Sequence, residues 1–173
     1  MTTRAFGIAM SGGLAFAVAA SLVACGGGTP PPQSGASPLP SAASIESTTF
    51  APELQIDLGQ STRTKSGAYY RDLVKGTGAV AGLGDHLRVR YEARLPDGRL
   101  VNGGPTSAPV DITLGSSVVR GWVETIPGMR VGGIRRAIVP PELGYGSRGS
   151  PDANIPPNAI VIFDIELLKV ETH

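Results

Sequence analysis

The chain has 173 residues, enough for one ordinary domain with extensions. Fifteen basic against fourteen acidic residues leave a formal charge of +1 and no basic stripe, so a nucleic-acid partner is excluded. One Cys excludes an intramolecular disulfide, and two His with that Cys are too few for a His/Cys metal site, so neither metal nor cofactor is expected.

Residues 1–25, MTTRAFGIAMSGGLAFAVAASLVAC, place one positive charge before a mostly apolar run rich in small residues. That is the layout of a secretory signal peptide. The run has about the length of a membrane span, but Ser11, Gly12 and Gly13 interrupt it. Its ending, Leu22-Val23-Ala24-Cys25, resembles the bacterial lipobox. The resemblance implies cleavage after Ala24, lipid on Cys25, and a mature chain with 14 basic and 14 acidic residues. Residues 25–50 then read as a tether of Gly, Pro, Ser and Ala, which lacks the apolar surface to offset chain entropy. Its reach as a coil is roughly 25–30 Å. An exported domain, anchored at a membrane surface and lying outside it, is the expectation for localisation.

The folded domain is expected over residues 51–173, with its core at 67–171. GAYYRDLVKGTG reads as a strand. In LRVRYEARL, Leu87, Val89, Tyr91, Ala93 and Leu95 alternate with charged residues, which predicts a half-buried strand. Pro96-Asp97-Gly98 is a turn signal. PVDITLG alternates again, with Val110, Ile112 and Leu114 inward. VVRGWVETIPG carries the only Trp. Val119, Trp122 and Ile126 share one helical face, and Pro127 and Gly128 end the helix. RRAIVP and AIVIFDIELLKV complete the strands, with Val161, Phe163, Ile165 and Leu167 on one face. An antiparallel sheet with one short helix follows. The helix must cover the apolar face, so Trp122 points at the sheet. Residues 140–159, with five prolines, are expected to form a long loop without regular structure, of a kind that tends to be functional.

Side-chain chemistry is scarce. His86 and His173 lie near no nucleophile pattern, and there is no G-x-S-x-G. Gly144-Tyr145-Gly146-Ser147-Arg148-Gly149 fits G-x-G-x-x-G, but Pro151 and NIPPNA follow where a dinucleotide site needs a helix. Asp164 and Glu166 share the outer face of a strand and read as solvated. Arg135-Arg136 is too short for a phosphate site. What remains is a concave apolar surface from Tyr91, Val101, Val110, Val119, Trp122, Tyr145, Ile155 and Phe163. An aromatic pocket with tyrosine hydroxyls at its rim has the form of a binding site.

Over about residues 67–171 the motifs V-x-G-W, M-x-V-G-G, Y-G, I-P-P-N-A and F-D-I-E-L-L resemble the FKBP-type peptidyl-prolyl cis–trans isomerases. The resemblance implies an α+β fold: a five-stranded antiparallel β-sheet, curled as a half-barrel around one short α-helix. It implies a proline pocket with Trp122 as floor and Tyr91 and Phe163 as walls. Tyr145 is then the hydroxyl donor, Ile155 the loop wall, and Val118 and Val119 the backbone contacts. Val101 and Asn102 stand where the family has a Phe-Asp pair, and Val110 where it has another Phe. The implied activity is isomerisation of X–Pro bonds in unfolded or exported proteins, with weakened binding of macrolides such as rapamycin. The alternative is a lipid-anchored module that holds proline-containing segments with little catalysis. A monomer is expected in either case.

Overall fold

A computed structural model describes residues 44–172. The readings made on residues 1–43, Cys25 among them, lie outside the described residues. The longest strand, β7 (Val161–Glu171), lies inside the sheet between β3 (His86–Arg94) and β6 (Ile134–Val139), and beyond β6 come β2 (Tyr69–Val74) and the two-residue β1 (Thr62–Arg63). The order is β1-β2-β6-β7-β3, all antiparallel. Strands β4 (Leu100–Gly103) and β5 (Val110–Thr113) both pair with β3, β5 along residues 86–89 and β4 along 92–94. They lie end to end on one edge. The expected five strands therefore become seven, because the edge strand is split in two and β1 adds a short rung.

Alternation sorts the sheet into two faces, as period-2 strands require. Leu87, Val89 and Ala93 of β3, Ala137 and Val139 of β6, and Val161, Phe163, Ile165 and Leu167 of β7 form the inner core. Helix α1 (Arg120–Thr125) covers it, bringing Trp122, with Ile126 just beyond its end. Gly121 sets how closely helix and sheet approach. A Cβ there would lie 2.5 Å from one methyl of Val139 and 2.6 Å from the other, so only glycine lets α1 rest on β6 at this point.

The opposite face differs from expectation. The composition of residues 44–50 predicts tether, yet Ile45 is buried, and with Leu54 it covers Tyr69, Ile138, Ile160 and Ile162. Three 3-10 turns, Ile45–Ser47, Pro52–Leu54 and Leu58–Gln60, form this strap. Burying an Ile or Leu contributes about 1.5–3 kcal/mol, so the folded domain begins before residue 50. Glu46 secures the strap: its carboxylate accepts from the Ser44 hydroxyl at 2.5 Å and the Tyr69 hydroxyl at 2.7 Å, beside Arg63 at 3.3 Å. These hydrogen bonds, Ser44's first and Tyr69's next, hold its pKa down from 4.5 to about 2. Asp164, read as solvated, is instead bridged twice by Arg136 at 2.6 and 2.5 Å, and Arg136 also donates to the Leu54 carbonyl. The strap explains why this face is only partly wet.

Candidate functional site

Phe163 is central to the inner face because its neighbours are small. Its register partners are Ala93 on β3 and Ala137 on β6, which leave room for its ring. Trp122 packs edge-on to it, with centroids 5.4 Å apart and planes at 86°. Tyr91 meets Trp122 at 5.1 Å and 82°, and lies 6.4 Å from Phe163. Such near-perpendicular contacts suit the aromatic quadrupole. Trp122 is 5% exposed, and its Nε1–H is buried without an acceptor among the described residues.

The three rings form the base of an open cavity of about 390 Å³. Val118, Val119 and Tyr145 line it, and Val110 lines it from the rim, 38% exposed. Val119 is the N-cap of α1; its carbonyl accepts from the Trp122 N–H at 3.0 Å. Among the described residues no charged side chain lines the cavity.

Tyr145 arrives on the long loop, which is more regular than expected. The 3-10 turns Pro141–Leu143, Gly146–Arg148 and Pro151–Ala153 run through it, and Ser150 and Ile155 exchange backbone hydrogen bonds at 2.8 and 2.9 Å. Gly149, at φ +64, closes the loop where any Cβ would strike the Ile155 carbonyl. The loop thus holds Tyr145 at the cavity by its own hydrogen bonds. Burial, and then the neighbouring Tyr91, push the Tyr145 hydroxyl above the ordinary tyrosine pKa. It stays a neutral donor.

Three expected residues are not brought to the cavity lining. Ile155 is 3% exposed and belongs to the core. Val101 is the extra residue where the β3–β4 register slips between Ala93–Asn102 and Arg94–Leu100, and it packs against the core. Asn102 is exposed, and its Oδ1 accepts from the Gly103 N–H at 2.7 Å. Conversely, Ile112 and Ser117 line the cavity and were not among the expected site residues. The alternation that placed Ile112 on the same face as Val110 was the available signal. Nothing in the sequence marks Ser117.

A family model described as FKBP-type peptidyl-prolyl cis-trans isomerase matches residues 78–168. The chain belongs to this family. An FK506-binding protein of Neisseria meningitidis is 42% identical over 101 residues, which are 57% of this chain and 92% of that protein. FK506-binding protein 4 of Neurospora crassa is 41% identical over 97 residues, or 56% of this chain. This FKBP-type chain spans only 20% of the length of that fungal relative. The crystal structure of FkpA from Escherichia coli superposes with a TM-score of 0.61 at 32% identity, covering 69% of this chain and 55% of that one. The FKBP-like fold, an antiparallel sheet with one short helix, is thereby shown. The FKBP match spans every cavity residue named above, from Tyr91 to Phe163.

Proposed function

We propose that the chain accelerates cis–trans isomerisation of X–Pro bonds in exported proteins, with the proline ring seated in the cavity between Tyr91, Trp122 and Phe163. The observation that carries this reading is the cavity's character: packed aromatic rings from Tyr91, Trp122 and Phe163, neutral hydroxyls from Tyr91, Ser117 and Tyr145, and no charged lining group among the described residues. Rotation about the peptide bond faces a barrier of about 18–20 kcal/mol. No bond is broken. The planar amide is polarised, oxygen negative and nitrogen positive, and water stabilises that state. The twisted amide has lost the resonance and is less polar. A dry apolar wall therefore favours the twisted state over the planar one. Tyr145 donates to a substrate carbonyl and orients it. This chemistry uses no nucleophile, metal or titrating base.

The second reading, a proline-segment binding module with little catalysis, is favoured by one observation. Aliphatic Val110 stands at the cavity rim, and Asn102 turns its carbonyl to its own neighbour. The same feature supports weakened macrolide binding. The LVAC sequence ending at Cys25 supports a lipid anchor that holds the domain at a membrane surface on the exported side. Among the described residues no helix is long and apolar enough to cross a membrane.

Exchange NMR on a Leu-Pro peptide decides between the two readings. Catalytic amounts of the full chain are expected to broaden the cis and trans signals by accelerating exchange. Saturable binding without faster exchange would favour the holding module instead.

A further inference from the structure

Helix α1 has six residues, Arg120–Thr125. A helix this short is marginal by itself, and its last carbonyls have no partner within the helix. The direction of Trp122 is therefore set from outside. Among the described residues one side chain donates to the carbonyls at that end. Arg135, on the inner face of β6 and only 5% exposed, donates from Nη1 to the Thr125 carbonyl at 2.7 Å and the Pro127 carbonyl at 3.2 Å. Its Nε donates to Asp72 Oδ1 on β2 at 2.6 Å. The guanidinium also lies 4.6 Å from the Tyr70 ring centre. A cation at a helix C-terminus is favoured by the helix dipole, and the planar fork of Arg serves carboxylate and carbonyls at once. Arg136, the next residue, faces the other way and pairs with Asp164 and the strap.

From this geometry we propose that Arg135 is a positioning residue for the cavity floor. It locks the end of α1 to β2 and β6, and so fixes the angle at which Trp122 meets Tyr91 and Phe163. The inference rests on the reading of that cavity as the proline site. It is tested through Trp122 itself, which is the only Trp in the chain, so every indole signal reports on the floor.

The full chain is compared as wild type, Arg135→Met, Arg135→Lys and Arg136→Met, well below each melting midpoint. Without substrate, Arg135→Met is expected to shift the Trp122 emission and its indole N–H resonance. Peptide turnover per folded molecule should then fall on the order of tenfold to a hundredfold, as small misplacements at a site do. Arg135→Lys, which keeps the charge but not the fork, should restore part of both. Arg136→Met removes an ion pair of similar kind from the opposite face, so it should lower the melting temperature and leave both readouts at wild-type values. Wild-type indole signals and turnover in Arg135→Met would overturn the proposal. So would equal changes in the Arg136→Met control. If Arg135→Met does not fold, Arg135→Lys carries the test, and an indole spectrum identical to wild type in that variant overturns it. A wild type inactive on peptides would sink the isomerase reading alone, because the indole comparison needs no substrate.

Discussion

Trp122 is the largest side chain the sequence offers, and it lies where two perpendicular contacts fix it between Tyr91 and Phe163. The groups around it that can titrate are tyrosines. Burial holds the Tyr145 hydroxyl protonated beyond its ordinary range, so it keeps its proton at neutral pH and gives it up only in strong alkali. Peptide turnover should accordingly be flat between about pH 5 and 8, the window in which a His would titrate. A bell-shaped kcat/KM profile would reveal a missed acid or base. Val110→Phe adds roughly 60 Å² of apolar surface at the rim, or about 1.5 kcal/mol, so rapamycin should bind roughly tenfold tighter in a calorimetric titration. Asn102→Asp alone should leave that affinity unchanged, since the Asn102 side chain engages Gly103 and does not line the cavity. The rings were legible because alternation and helical spacing point Tyr91, Phe163 and Trp122 inward. The places of Asn102 and Ile155 were not. A bulge in a four-residue edge strand and the internal bonds of an irregular loop leave no period to read.

The strap shows the same limit at the scale of elements. Its 3-10 turns have no periodic apolar face, and four polar residues separate Ile45 from Phe50, so by composition alone residues 44–50 resemble a tether. The sheet strands were readable from their alternation, and α1 from its shared face and the Pro127-Gly128 stop. Ile45→Ala should cost about 2–4 kcal/mol in urea unfolding while peptide turnover stays at the wild-type value, because Ile45 packs on the face opposite the cavity. Glu46 adds a pH signature. Its folded pKa is depressed, so its contribution is full above the ordinary value of 4.5 and is lost as pH falls toward about 2. Melting curves of wild type and Glu46→Gln should converge over that range and differ above it. Curves that differ equally at both ends would show that the carboxylate does not tie the strap.

Across the whole molecule, the two cores give the sheet two roles: the strap closes its outer face, and the helix and loop build a cavity on the inner one. The strap is the first described segment, and it packs on the face opposite the cavity. Cys25→Ser should move the protein from the detergent phase to the aqueous phase or leave it as precursor, while an unlipidated wild type would contradict the anchor. If proline isomerisation is accelerated on the Trp122 floor, removing that one side chain must slow it. Isomerisation of a Leu-Pro peptide is measured with wild type and Trp122→Leu, both shown to be folded by circular dichroism at the assay temperature. Wild type should accelerate exchange well above the uncatalysed rate of roughly once in tens of seconds, and Trp122→Leu should lose at least about tenfold in kcat/KM. Equal rates in the two folded proteins would show that Trp122 is not the floor on which proline turns.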